Sequence, residues 1–344
     1  MKKEESIILF VGTYPPRECG IATFTRDLTD AIDKKFSPFL KTKILAINNN
    51  GVNIYNYPKK VIHQISDTNL DDYIIKAKII NNDDSIKLIS IQHEFGIFGG
   101  PEMGEYLIPF LKEIKKPKII TFHSVIPNPS NHRKFVVREI AENVNDIIVM
   151  TPKGVQILKE EYKITKPIHV IPHGIPSVSF ESQLNAKKQL NLPLNSIILS
   201  SFGMMGSGKG YEYVIESLPE IIKEHPRLLY LIVGATHPNI RKHEGEQYRN
   251  FLDKKVKALK LEPHVKFYNK YVTIKEIIQY LKATDLYISS TLTPEQITSG
   301  TLAYAMGVGR AVVSTPFLHA QDLINQDRGA LVEKFRNSKS FSKS

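Results

Sequence analysis

Pro294-Glu-Gln-Ile-Thr-Ser-Gly-Thr-Leu-Ala-Tyr-Ala-Met-Gly-Val-Gly-Arg-Ala-Val-Val-Ser-Thr-Pro316 divides into a strand end, a small polar turn, a short helix lined with small residues and the start of a new strand. Strand, turn, helix and strand in that order form the unit of a doubly wound α/β fold. Thr298, Ser299, Gly300 and Thr301 fall where a helix from about Leu302 should begin. A helix N-terminus offers free N–H groups and a partial positive charge to an anion. The same residue types also make an ordinary N-cap. A phosphate site therefore needs a second, independent signal.

That signal lies about ninety residues earlier. Ser196-Ile-Ile-Leu-Ser-Ser-Phe202 reads as a strand and runs into Gly203-Met-Met-Gly-Ser-Gly-Lys-Gly210 before an amphipathic helix. Gly206, Gly208 and Gly210 leave the backbone free to turn and approach a ligand, and Lys209 supplies a point charge for phosphate. Gly203-x-x-x-x-Gly208-Lys209 nearly spells a P-loop, but Gly210 stands where the magnesium-holding Ser or Thr belongs. The next strand also ends in Gly234 rather than Asp, which argues against a nucleotide hydrolase.

Apolar, β-branched runs alternate with helical patterns along the whole chain. They lie at Ile7–Val11, Thr42–Ile47, Ile86–Ile91, Lys118–Phe122, Asp146–Met150 and Ile168–Ile171. The same rhythm continues at Ile197–Phe202, Leu228–Val233, Val265–Tyr268, Leu286–Ser289 and Ala311–Ser314. This rhythm predicts parallel sheets covered on both faces. With 344 residues, two doubly wound, Rossmann-like domains are expected, 1–176 and 177–344, joined at Pro172-His-Gly-Ile-Pro176. Ligands in such sheets sit at the carboxyl ends of the strands, so a cleft between the domains is the expected site. Arg328-Gly-Ala-Leu-Val332 reads as a last strand, and the tail Phe335-Arg-Asn-Ser-Lys-Ser-Phe-Ser-Lys-Ser344 shows no closing helix. The C-terminal domain is therefore expected to be shortened and incomplete.

Composition narrows the function classes. Hydrophobic residues at 42% and charged residues at 24% describe a globular protein, and no apolar run approaches the ~20 residues of a membrane span. The N-terminus reads as a first buried strand rather than a signal peptide, so a cytoplasmic location is expected. The single Cys19 excludes an intrachain disulfide and a cysteine metal cluster. A net charge of +11 suits phosphorylated small molecules, and is compatible with peripheral contact at an anionic inner membrane face. No basic run is interleaved with aromatics, so nucleic acid is not an expected partner.

With these residues in view, the chain resembles the retaining, nucleotide-sugar-dependent glycosyltransferases of family 4, also called glycosyl transferases group 1, which have the two-domain GT-B fold. Phe10-Val-Gly-Thr-Tyr-Pro-Pro-Arg-Glu-Cys-Gly-Ile-Ala-Thr-Phe24 is similar to that family's first strand and the loop that covers the donor phosphates, with Gly20 as the close-approach residue. Thr121-Phe-His-Ser-Val125 matches the family's histidine beside the donor sugar, which makes His123 a candidate catalytic residue. Val170-Ile-Pro-His-Gly-Ile175 matches its interdomain segment, and Gly203 to Gly210 its Lys-Gly turn, with Lys209 on the pyrophosphate.

Three positions depart from the family pattern. Met204 replaces the usual arginine of the turn, and Gln296 and Tyr304 stand where two glutamates eight apart contact donor sugar and ribose. Their hydrogen-bonding groups can still serve a donor. The donor set implied is Gly20, Gly206, Lys209, Gln296, Thr298, Ser299, Gly300, Thr301 and Tyr304. His93 and Glu94, in Gln92-His93-Glu94-Phe95-Gly96, are candidates for acceptor contacts or proton handling, or simply part of a loop that ends a strand. The resemblance implies transfer of a hexose from a nucleoside-diphosphate sugar to a saccharide or glycolipid hydroxyl, with no metal and no cofactor. The competing expectation is a degenerate GT-B protein that binds nucleotide or sugar without turnover.

Overall fold

The computed structural model describes residues 6–49 and 51–343, apart from the side chains of residues 238 and 239. The chain divides into two units, Met1–Gly174 and Ile175–Ser344.

The first unit is built on seven parallel strands: β1 (Ser6–Gly12), β2 (Leu40–Asn48), β3 (Val61–Ser66), β4 (Ile86–His93), β5 (Lys118–Phe122), β6 (Asp146–Val149) and β7 (Ile168–Val170). Their order in the sheet is β3-β2-β1-β4-β5-β6-β7. Phe10 of β1 lies opposite Ile44 of β2 on one side and Ser90 of β4 on the other. The helices that return the chain cover both faces, so the middles of the central strands are mostly apolar: Leu9, Ile44, Leu45, Ile89, Ile91 and Ile120 are fully buried. One strand is not among those expected from the sequence. In β3, His63 and Gln64 interrupt the apolar run, because an edge strand buries only part of its surface.

The second unit carries six parallel strands: β8 (Ile197–Phe202), β9 (Leu228–Val233), β10 (Val265–Tyr268), β11 (Leu286–Ser289), β12 (Ala311–Ser314) and β13 (Gly329–Leu331), in the order β10-β9-β8-β11-β12-β13. Renumbered from its own first strand, this is the order of the first six strands of the other unit. The repeat is one of topology and leaves no repeat in the sequence.

The expectation of an open, uncovered last strand is corrected. A short helix, Ser338–Ser342, follows β13, with Asn337 capping it through its side chain to the Ser340 N–H. Phe341 is buried in the cluster that holds Tyr211, Val214 and Leu218 of the helix Tyr211–Glu224. The small polar residues of this tail conceal its amphipathic pattern. A single Phe, two residues past Lys339, makes the contact.

In each sheet the winding reverses once, between β1 and β4 and between β8 and β11. Loops leaving the carboxyl ends of those strands diverge there and open a crevice for a ligand.

Candidate functional site

In the C-terminal unit the reversal point lies between the loops that follow β8 and β11. The loop after β8 runs through Gly203, a single tight turn over Ser207–Lys209, and Gly210, whose φ of +63° opens the helix Tyr211–Glu224. A β-carbon at Gly210 would stand 2.4 Å from the Ser290 carbonyl oxygen, so only glycine fits. The two loops are stitched together. Leu292 N–H donates to Gly208 O at 2.8 Å, and the Ser290 hydroxyl donates to Lys209 O at 2.8 Å. This fixes the backbone of Lys209, while its side chain folds back until the ammonium lies 3.6 Å from where a β-carbon of Gly203 would be. Burial lowers the Lys209 pKa from its ordinary range, and no carboxylate among the described residues pairs with it. A half-buried cation without a counter-ion attracts an anion.

The loop after β11 leads to the helix Gly300–Gly307, which begins two residues before the position expected from the sequence. Its first donors are sorted by the side chains around them. Ser299 Oγ caps the Leu302 N–H at 3.3 Å, and the Ser299 N–H donates to His319 Nδ1 at 2.8 Å. Among the described residues the N–H groups of Gly300 and Thr301 have no acceptor, and the Thr298 hydroxyl is buried without a partner. Lys209, Gln296, Ser299 and Thr301 line one crevice with Ser289, Ser290 and Thr291. That is the arrangement an oxyanion needs: two uncommitted N–H donors and a cation held by a rigid backbone.

Other expected donor residues sit elsewhere. Gly206 is extended and faces Ile240 of the short helix Pro238–Glu244. Gln296 spends its amide inside its own loop, donating to Thr298 O at 2.9 Å and accepting from the Thr291 hydroxyl at 3.1 Å. Tyr304 packs in the buried cluster of Leu302, Ala305 and Phe317. Two residues of the site were not singled out from the sequence. Tyr211 lines the crevice with its hydroxyl buried and unpartnered, and His319 holds the helix start from the segment Leu318–Leu323. A tyrosine at the first helical position and a lone histidine twenty residues downstream carry no spacing signal.

In the N-terminal unit the reversal point is framed by the loop after β1 and the ends of β4 and β5. Cys19 caps the helix Gly20–Phe36, its sulfur accepting from Ala22 N–H at 3.3 Å and lying 3.1 Å from the Thr13 hydroxyl. Space around the α-carbon of Gly20 is open. His123 Nε2 lies 3.0 Å from Gln92 Oε1, and the Gln92 amide is oriented by its donation to Ser90 Oγ at 3.3 Å. The His123 proton therefore sits on Nε2, and Nδ1 is left with its lone pair. Burial, then the nearby His173 and His93, hold its pKa down to about 3. His123 is thus a neutral hydrogen-bond acceptor, not an imidazolium.

His93 is fully buried among Phe95, Phe98 and Phe122, with neither ring nitrogen partnered, and burial lowers its pKa to about 3. Its neighbour Glu94 accepts from the Ser124 hydroxyl at 2.6 Å and from the Phe95 N–H at 3.0 Å. Burial outweighs both bonds and raises the Glu94 pKa. Of this pair, Glu94 alone presents a polar group outside the aromatic cluster. Among the described residues no three His, Cys, Asp or Glu side chains are grouped as metal ligands, and no helix is long and apolar enough to cross a membrane.

Residues 196–344 match the family model described as glycosyl transferases group 1. No curated protein sequence matches significantly. Among solved structures, a glycosyltransferase from Rickettsia africae superposes with a TM-score of 0.74 at 19% identity, over 98% of this chain and 86% of that one. Sucrose-phosphate synthase from Thermosynechococcus elongatus gives 0.72 at 16% identity, over 98% and 88%. Anabaena HepE in complex with UDP gives the same score, identity and coverage. The chain has the GT-B fold, and residues 196–344 of its C-terminal unit are similar to the glycosyl transferases group 1.

Proposed function

We propose that this protein is a retaining, metal-independent glycosyltransferase that moves a hexose from a nucleoside-diphosphate sugar to a hydroxyl of a saccharide or glycolipid acceptor. One observation carries the reading: Lys209 and the uncommitted N–H groups of Gly300 and Thr301 converge at the reversal point of the C-terminal sheet. As the bond from sugar to phosphate breaks, negative charge accumulates on the leaving diphosphate. A fixed cation and fixed N–H donors stabilise that charge without reorganising. The solved structure of Anabaena HepE with UDP-glucose makes the uridine diphosphate sugar the first donor to try.

In the N-terminal unit His123 Nδ1 is a lone-pair acceptor suited to a sugar hydroxyl, and Glu94 a carboxyl group suited to acceptor contact or proton handling. Excess positive charge favours negatively charged substrates and is compatible with an acceptor displayed at an anionic membrane face. The test is transfer: incubate the protein with UDP-, ADP- and GDP-sugars and follow nucleotide release with and without simple saccharides. Release above a no-enzyme control, lost in Lys209→Ala, supports the reading.

A second reading is favoured by Gln296 and Tyr304. Neither presents a carboxylate to a donor, and one is bonded within its loop while the other is in the core. A binding protein without turnover would take up nucleotide through the same phosphate crevice and release no sugar.

A further inference from the structure

The turn that carries Lys209 has a second wall. β9 ends at Val233, and Gly234 then passes so close to β8's loop that a β-carbon on it would lie 2.0 Å from the Gly203 carbonyl oxygen. From there the two segments run together as a short parallel pair. Met205 N–H donates to Ala235 O at 2.8 Å, Met205 and Thr236 form a parallel bridge, and His237 N–H donates to Met205 O at 3.0 Å. Thr236 is held from behind, its hydroxyl donating to Glu246 at 2.5 Å. The backbone of His237 is therefore pinned to the phosphate turn, and its imidazole lies within reach of the Lys209 charge.

The turn from Gly203 to Gly210 supplies one cation, Lys209, while a nucleoside-diphosphate sugar brings two negative charges. Met204 and Met205 are neutral. We propose that His237 is a second diphosphate-binding group, entering the donor complex as an imidazolium beside Lys209. This deepens the donor-site reading above and rests on it.

The charge balance around His237 gives the inference its readout. Lys209 of the turn acts on the ring, the Arg241 N–H donates to the His237 carbonyl one helical turn on, and Glu246 backs the neighbouring Thr236. Glu246 is 3.7 Å from Arg249. Burial first, and then Lys209, lower the His237 pKa, so the free protein holds it neutral near pH 7. A bound diphosphate adds negative charge beside the ring and raises that pKa again. Donor binding then takes up a proton. Since the complex has the higher pKa, the affinity gained is present at low pH and is lost as pH rises through the pKa of the complex.

The test is calorimetry with whichever of UDP-glucose, ADP-glucose and GDP-mannose binds, because the diphosphate of a nucleotide sugar, esterified at both ends, does not titrate near neutrality. Titrations at about pH 6 and about pH 8, in buffers of different ionisation enthalpy, separate proton uptake from affinity. Proton uptake is expected for the wild type. His237→Gln should lose it and bind about tenfold more weakly at the lower pH, with little change at the higher. His237→Arg should restore affinity at both values and abolish the pH dependence, which a merely structural histidine would not allow. Equal affinity and equal proton uptake in wild type and His237→Gln, with Lys209→Ala still impaired, would overturn this inference and leave the donor site standing. No binding by the folded wild type would overturn both.

Discussion

His319 Nδ1 accepts the backbone N–H of Ser299 at 2.8 Å, across twenty residues of sequence. The bond withdraws one donor from the start of the helix Gly300–Gly307 and leaves the next two, on Gly300 and Thr301, fixed in direction and unused. His319 also braces the loop through its backbone, donating its N–H to Gln296 O at 3.1 Å. It is a positioning residue for the start of that helix. His319→Ala leaves a buried N–H unsatisfied, at a cost of about 1–3 kcal/mol. Both thermal stability and donor affinity should fall. His319→Gln, whose carbonyl can accept the same N–H, should recover most of the affinity; equal loss in the two variants would remove the hydrogen bond from the account.

Buried neutral histidines make the N-terminal unit sensitive to acid. Burial holds His93 and His123 near a pKa of about 3, whereas unfolding returns them to 6.5. Their contribution is complete above pH 6.5 and is lost as pH falls from there toward 3, at up to about 1.4 kcal/mol per pH unit for each. Urea unfolding at pH 7 and pH 5 should show a lower midpoint in acid. His93→Phe, which fills the pocket of Phe95, Phe98 and Phe122 with an apolar ring, should reduce that difference by roughly half. An unchanged difference would place the acid sensitivity elsewhere.

Glu94 has the opposite sign. Its raised pKa means that the carboxylate is held in the fold at a cost, so its contribution is favourable only below the unfolded value of 4.5 and is lost as pH rises through the folded pKa. Glu94→Gln keeps an acceptor for Ser124 and should be at least as stable as the wild type at pH 7.5. Its transfer rate should nevertheless drop if Glu94 handles a proton. A destabilised Glu94→Gln would contradict the charge argument.

Phe341 is the apolar anchor of the short helix Ser338–Ser342. Phe341→Ala removes the contact with Tyr211, Val214 and Leu218 and should destabilise the C-terminal unit by about 3 kcal/mol. Because that contact supports the helix that starts one residue after Gly210, nucleotide affinity should weaken with it. Chemical denaturation that registers no loss would mean that the tail does not cover the sheet.

Sequence legibility followed the physics of each signal. Buried parallel strands such as Leu228–Val233, apolar on both faces, announce themselves; the edge strand Val61–Ser66, with His63 and Gln64 inside it, does not. Both strand-to-helix turns of the crevice were legible because glycines and a lysine between strand and helix have a local meaning. Tyr211 and His319 were not, since Tyr211 lines the crevice and His319 holds Ser299 at its edge only through tertiary packing of separate helices. Tyr304 shows the converse: its position relative to the small-residue helix is legible, but the direction of its side chain, into the core, is set by packing.

The central claim is that the C-terminal reversal point binds the diphosphate of a sugar nucleotide through Lys209. Calorimetric titration of UDP, ADP and GDP into the wild type and Lys209→Ala, followed by turnover with the matching sugar nucleotides, tests it most directly. Loss of one charge-assisted contact of about 1.5–3 kcal/mol predicts a base-selective affinity that weakens about 10- to 100-fold in the variant, with sugar release in the wild type. Equal nucleotide affinity in wild type and a folded Lys209→Ala would contradict it.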